Sequence, residues 1–475
     1  MLPAVTEPEV THARKAWRRG EVIVLVILIL AAGLVRFVNL GSPDDIMFDE
    51  TYYAKDACWY VQASKMVCDV DNEQTLVHPP LGKWLLAIGI RIFGYDAFGW
   101  RFAAALGGTV TVGLLFLLAR RLFRHAAAAA LAAGLLAFDF LHFVQSRIAM
   151  LDIFVPLFGV AAVLFALWDH DAAPEDGPRR PLSRGWLAAS GAAAGAAVAS
   201  KWGGVFYLIL VVVLTIAWGL GRRRRDDRPR PVLRTLREEA PALLLWLFVL
   251  PLLLYVGTYA ARLDGAVAAA PWSEGSFWRA VWDQQFSMWE FHTQVLDESV
   301  HPYQSPAWSW LLLKRPVSYF FETTSSGQYM EVMAIGSPLV WWTSILALLY
   351  CAYRWVRDRS VASAAGIATA GFFFTYAPWV LAPSGREAVF LFYLLPSVPF
   401  MCLAIAAVAD RILGYTEGKI AVGSFAAAAL IFFGFFYPVL AKVPIPKEQW
   451  DQRIRFRACD EKTEEGGPPK GWCWI

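Results

Sequence analysis

Asp49 and Glu50 stand side by side in "IMFDETYYAKDACWYVQ", just after the apolar run from Val22 to Leu40. Acids at a helix start serve as caps and complement the macrodipole. Adjacent carboxylates at such a place also suit a general base acting on an incoming hydroxyl. Arg36 lies near the end of the apolar run, thirteen residues ahead of Asp49. An arginine inside an apolar segment is costly, so it marks a functional position or snorkels to lipid headgroups. Cations recur in "GWRFAA" (Arg101), "QSRIAMLD" (Arg147, with Asp152), "ASKWGG" (Lys201) and "APSGREAVF" (Arg386). Arginine presents a planar fork that matches phosphate oxygens. His78 precedes two prolines in "HPPLGKW", which holds it in an extended segment. Together these residues describe a carboxylate base beside an anionic, lipid-borne ligand.

The elements that must position them are membrane helices. The chain has 475 residues, 57% hydrophobic and 17% charged, with a mean hydropathy of +0.44. Apolar runs near the roughly 20-residue bilayer-spanning length recur along it, and lipid admits helices because their backbone groups are satisfied internally. The fold class expected is therefore an all-α polytopic membrane protein with about eleven spans: 21–40, 98–120, 126–142, 150–168, 185–200, 203–220, 240–260, 336–353, 361–382, 388–409 and 419–441. A net charge of +3 gives no argument for nucleic acid. Arg14, Lys15, Arg18 and Arg19 place the N-terminus in the cytoplasm, and alternation then puts the basic loops 119–125, 177–185, 221–238, 354–359 and 410–419 inside. The outside receives loops 41–97 and 261–335 and a C-terminal tail, 442–475. Cys58 and Cys68 fall in the first loop and Cys459 and Cys473 in the tail, as two disulfides or as four free thiols. Segment 276–291 repeats Trp278, Trp282 and Trp289 at helical spacing, as an amphipathic helix on the membrane surface would.

The motifs "VRFVNLGSPDDIMFDETYYAKDA" (35–57), "HPPLGKWLLAIGIRIFG" (78–94), "GWRFAAALGGT" (99–109), "SRIAMLDIF" (146–154), "SKWGG" (200–204) and "HPYQSPAWSWLLLKRP" (301–316) occur in one order. In this the chain resembles the protein O-mannosyltransferases, of the glycosyltransferase C (GT-C) superfamily. The span between the helices near 260 and 336 is too short for the inserted domain of eukaryotic members, so the likeness is to the actinobacterial type. The resemblance implies a single GT-C domain over 1–475 with amphipathic helices in two long outer loops. It implies transfer of mannose from a polyprenyl-phosphate carrier to serine or threonine of secreted or membrane proteins, at the outer face of a bacterial plasma membrane. It puts the catalytic acid on Asp49 with Glu50 beside it, and places family arginines on Arg36 and Arg101 and the second-loop histidine on His301. By predicted side and charge, Arg147, Lys201 and Arg386 join Arg36 and Arg101 at the donor phosphate. Tyr53, His78, His301 and Tyr303 are expected to contact substrate.

A phosphate ester leaves as a stable anion, so one base and several cations suffice for an inverting single displacement. No cofactor is expected and no metal ligand set is read, though a divalent cation stays open. Membrane lipids, the acceptor protein and a Sec translocon are candidate partners. Two rival readings stand beside this one. A GT-C transferase acting on a lipid or cell-wall polysaccharide would share the acidic loop, and a lipid-linked sugar transporter would be favoured by a deep charge such as Asp139.

Overall fold

The computed structural model describes residues 17–61, 77–173, 180–225, 229–260, 277–295, 301–381, 388–456 and 471–474. Nine helices among them are long and apolar enough to cross a membrane: Arg19–Phe37, Ala97–Leu122, Leu151–Asp171, Trp202–Arg224, Pro231–Gly257, Pro338–Asp358, Ala364–Leu381, Leu391–Ile412 and Thr416–Leu440. The other two expected spans are shorter helices. Ala126–Ala137 stops early because Asp139 caps a new six-residue helix, Phe140–Gln145, by accepting from His142 N at 3.0 Å. Gly185–Ser200 has 16 residues, and its Gly191 packs so closely on the Trp246 carbonyl that no side chain would fit.

Three antiparallel neighbours fix the ends of the bundle. Helix α7 (Phe154–Asp171) starts beside Asp152, helix α8 (Gly185–Ser200) ends at Lys201, and helix α9 (Val205–Arg225) starts just after it. Their other ends carry the basic loops. There Arg184 bonds Asp169 and Glu239, each at 2.6 Å, Arg223 bonds Glu238 at 2.7 Å, and Arg120 reaches Glu21 at 2.9 Å. The Asp-Glu segment and the basic loops thus occupy opposite ends of the spans.

The all-α expectation needs one correction. In the second long loop, Val317–Thr323 (β1) and Tyr329–Ala334 (β2) form an antiparallel hairpin. Their runs "VSYFFET" and "YMEVMA" are rich in β-branched and aromatic residues, and Gly327 supplies a positive φ in the turn. The outer edge of β2 is covered where Tyr329 pairs with Ile445, which protects an otherwise open ladder. The expected helix in the same loop is present as Phe277–Glu290, with Trp278, Trp282 and Trp289 exposed and Val281 and Met288 buried towards Tyr259. The tail returns to the loop: Cys473 N donates to the Lys314 carbonyl at 3.0 Å, and Trp474 Nε1 donates to that of Leu313 at 2.7 Å. Cys58 and Cys473 each take part in a disulfide; Cys68 and Cys459 lie outside the described residues. Cys351 and Cys402 are buried free thiols.

Glu331 of β2 ties hairpin to tail. Its carboxylate accepts from Trp450 Nε1 at 2.6 Å and Ser318 Oγ at 3.0 Å. Burial pushes its pKa from 4.5 up to about 7, against those two donors. The folded state therefore holds this proton to higher pH than the unfolded chain, and stability falls as pH climbs from about 4.5 through about 7. Glu331→Gln should raise the thermal midpoint in detergent more at pH 8 than at pH 5; an equal shift at both would contradict the assignment.

Candidate active site

Glu50 opens helix α2 (Glu50–Val61) with its side chain fully buried. Oε1 accepts from Arg101 Nε at 2.7 Å and Ala149 N at 2.8 Å; Oε2 accepts from Arg101 Nη2 at 2.7 Å and Met47 N at 2.9 Å. Arg101, in helix α4 (Ala97–Leu122), also donates from Nη1 to the carbonyls of Leu40 (3.3 Å) and Pro43, and from Nη2 to that of Asp45 (2.8 Å). A guanidinium has five N–H donors, and every one is engaged. The expectation that Arg101 faces a donor phosphate is corrected accordingly: it clamps the acidic loop. Glu50, with both oxygens doubly bonded, likewise has no lone pair aimed at a reactant.

Arg147 and Arg36 are also turned inward. Arg147 Nη1 donates to the carbonyls of Val35, Arg36 and Val38 at 3.1, 2.8 and 2.7 Å, and Nη2 to that of Asn39 at 3.1 Å. It thereby closes the C-terminal end of helix α1 (Arg19–Phe37), where carbonyls lack intrahelical partners. Arg36, fully buried, donates to the Ala32 carbonyl at 3.1 Å and meets His142 Nδ1 at 3.0 Å. Gly108 makes room for this packing, since a methyl there would strike Ser146 Oγ. Asp139 accepts from Trp341 Nε1 at 2.9 Å as well as from His142 N, so this deep acid is a structural cap.

The clamp leaves Asp49 as the available acid. Its backbone carbonyl starts α2, accepting from Tyr52 N and Tyr53 N at 3.0 and 3.1 Å. No described residue donates to its side chain. Burial drives its pKa up from 3.8 to about 6; Lys201 pulls it down and Asp152 pushes it up. Lys201 Nζ bonds both oxygens of Asp152, at 2.9 and 2.8 Å, and lies 5.1 Å from the Tyr393 ring centroid. Burial alone would depress the ammonium, but Asp152, Tyr393 and Asp49 outweigh it and hold it raised. Asp152, grouped with Arg147 by sequence, thus pairs with Lys201 instead.

Aromatic residues wall this chamber. Tyr53, buried and lifted well above its ordinary pKa by burial and then by Asp49, lies 5.8 Å ring to ring from His78. His78 in turn packs at 5.3 Å on His292, itself 5.8 Å from Trp202. Phe48 has a positive φ of 48°, in the region costing a non-glycine residue about 1–2 kcal/mol. Its ring is held by Tyr319 at 4.7 Å, Phe392 at 6.0 Å and His301 at 6.3 Å. His301 Nδ1 accepts from Tyr303 N at 3.1 Å, and Arg315 lies 4.9 Å from the Tyr303 ring centroid. Asp49, Tyr53, His78, Lys201 and His301 are therefore gathered, while Tyr303 stands behind His301. Arg386 lies outside the described residues. The sequence does not single out Tyr319 of β1, Tyr393 of the short helix Leu391–Ser397, Phe48 of the turn before α2 or Gln145, because an aromatic or an amide among many carries no signal of its own.

The apolar spans thus carry, at the end opposite the basic loops, a buried acid surrounded by aromatic side chains. The fold aligns with a chain of the S. cerevisiae protein O-mannosyltransferase Pmt1-Pmt2 complex bound to the sugar donor, with a TM-score of 0.75 and 17% identity, over 98% of this chain and 96% of that one. It aligns less closely with ArnT from Cupriavidus metallidurans bound to undecaprenyl phosphate, at a TM-score of 0.56 and 20% identity, over 88% of this chain and 65% of that one. The model of dolichyl-phosphate-mannose-protein mannosyltransferases matches residues 26–100 and 96–264, and that of the C-terminal four-helix region of protein-O-mannosyltransferase matches 277–458. The chain belongs to the protein mannosyltransferase family. Polyprenol-phosphate-mannose–protein mannosyltransferases of Mycobacterium tuberculosis and Mycolicibacterium smegmatis are 32% and 30% identical to it, covering 92% and 95% of this chain and 91% and 95% of their own lengths.

Breaking one partner of a buried ion pair costs about 3–5 kcal/mol. Glu50→Ala and Arg101→Met should each lower the unfolding midpoint in detergent strongly, and the double variant little further. Asp49→Asn should leave it near wild type. A destabilised Asp49→Asn with a stable Glu50→Ala would reverse the assignment of the two acids.

Proposed function

We propose that the protein transfers mannose from polyprenyl-phosphate mannose to serine or threonine hydroxyls, with Asp49 as general base. The observation that carries this reading is the contrast between the neighbouring acids: Glu50 is saturated with donors, and Asp49 has none among the described residues. The curated relatives matching over nine-tenths of the chain bear the name of that reaction, which favours a protein acceptor over a lipid or polysaccharide and a transferase over a transporter.

In this mechanism the acceptor hydroxyl enters beside Asp49 and gives its proton to the carboxylate as its oxygen attacks the anomeric carbon. The bond from that carbon to the phosphate oxygen breaks, and polyprenyl phosphate leaves as an anion without needing a proton. The transition state is oxocarbenium-like, and a single displacement inverts the anomeric centre. Lys201 supplies positive charge at the chamber; a preorganised cation in a low-dielectric site stabilises the departing charge. Tyr53, His78 and His301 line the substrate's path. The basic loops favour a cytoplasmic position for the far end of the bundle, which supports a chamber facing outward from a bacterial plasma membrane. There it meets proteins emerging from a translocon.

The test is transfer of radiolabelled mannose from polyprenyl-phosphate mannose to a Thr/Pro-rich peptide by purified protein. Asp49→Asn should reduce it by a hundredfold or more, the upper range of general-base effects being roughly 10²–10⁴; retention of most activity would remove Asp49 as base. Because the base must be deprotonated, kcat/KM should rise with pH through about 6. Asp152→Asn removes a like charge and should move that limb to lower pH. Lys201→Met removes the cation and should move it higher; a limb indifferent to both changes would place the titrating group elsewhere.

A further inference from the structure

Gln145, the last residue of helix Phe140–Gln145, is fully buried. Its Nε2 donates to the Tyr319 hydroxyl oxygen at 2.7 Å, and its Oε1 has no hydrogen-bond partner. Tyr319 sits on β1 and is 5% exposed, its ring fixed between Phe48 at 4.7 Å and Phe392 at 5.9 Å. Since the phenol oxygen already accepts from Gln145, its own hydrogen is directed away from that amide. Phe48, next to Asp49 in the chain, packs on its ring at 4.7 Å, and the groups that act on the phenol electrostatically are Asp152, Asp49 and Tyr393. None of them takes the proton in a hydrogen bond.

We propose that Tyr319 is a sugar-positioning residue, its O–H donating to a hydroxyl of the transferred hexose, and that Gln145 sets the direction of that donation. This rests on the transferase reading above. Several features favour a neutral sugar oxygen as the acceptor. A phosphate oxygen would be repelled by the two nearby acids, whereas a sugar hydroxyl is uncharged and accepts readily. Burial, and then the charges of Asp152 and Asp49, hold the phenol well above its ordinary pKa, so it stays a donor throughout the working range. Directionality is the heart of the matter, because a phenol can also donate to an amide oxygen. With the amide nitrogen placed toward Tyr319 the phenol proton is left for the chamber, whereas with the amide reversed it would be donated to Gln145 Oε1.

The test uses steady-state transfer from polyprenyl-phosphate mannose and its monodeoxy analogues, at a pH above the acid limb of Asp49. The variants are Tyr319→Phe, Gln145→Glu and Gln145→Met. A glutamate at 145 keeps the shape and the hydrogen bond but reverses its polarity, drawing the phenol proton out of the chamber. Tyr319→Phe and Gln145→Glu should each lower kcat/KM with the full donor by about tenfold, the scale of one neutral hydrogen bond. One monodeoxy donor should be about tenfold poorer than the full donor for wild type, and no poorer for either variant. Gln145→Met, which removes the amide without introducing a competing acceptor, leaves the phenol free to turn and should lose less discrimination than Gln145→Glu. Wild-type kcat/KM in Gln145→Glu, or unchanged deoxy discrimination in Tyr319→Phe, would overturn the proposal while leaving the transferase reading intact. Failure of the wild type to use polyprenyl-phosphate mannose at all would overturn that reading, and this one with it.

Discussion

The buried bond between Glu50 and Arg101 is the constraint on which the rest of the outer face depends. These residues are fully enclosed, and the guanidinium also gathers three carbonyls of the loop between α1 and α2. Ionised groups so far from water persist only when every donor and acceptor is matched, and here they are. The consequence reaches one residue back along the chain. Glu50 is held by four donors, so Phe48 is kept in its left-handed conformation and Asp49 is delivered to the chamber. An acid with few partners can remain reactive because its neighbour has many.

Three arginines that looked like phosphate ligands turn out to be the joinery of that arrangement. Arg101 holds the acidic loop, Arg147 closes the end of α1, and Arg36 joins α1 to the short helix carrying His142. Charge at the chamber itself falls to the Lys201–Asp152 pair. Its two members act on Asp49 in opposite senses, beside the larger effect of burial. This division of labour explains how a charge-poor membrane protein tolerates so many buried cations at one end.

How much could be read in advance follows from what each residue type reveals. The spans were legible because apolar length is a composition signal, and Asp49 because a carboxylate leaving a membrane helix is rare enough to stand out. The basic loops, placed together by charge alone, do gather at one end of the bundle. Two of the expected spans are shorter helices, one of them because Asp139 restarts a helix inside an unbroken apolar run. The roles of the arginines were illegible, since sequence gives a cation's type and approximate depth but not whether its donors are spent. Glu50 and Arg101 are 51 positions apart, and nothing local marks them as partners. Tyr319 and Gln145 were invisible for the same reason: their meaning lies in a contact across 174 residues.

The most direct test of the central claim is an infrared titration of the purified protein, comparing wild type with Asp49→Asn and Glu50→Gln. The difference between wild type and Asp49→Asn should contain a carboxyl component titrating near pH 6, and the difference between wild type and any Glu50→Gln protein that folds should not. Failure of Asp49→Asn to lose such a component, or its loss with Glu50 alone, would contradict the assignment of Asp49 as the elevated acid of the pair.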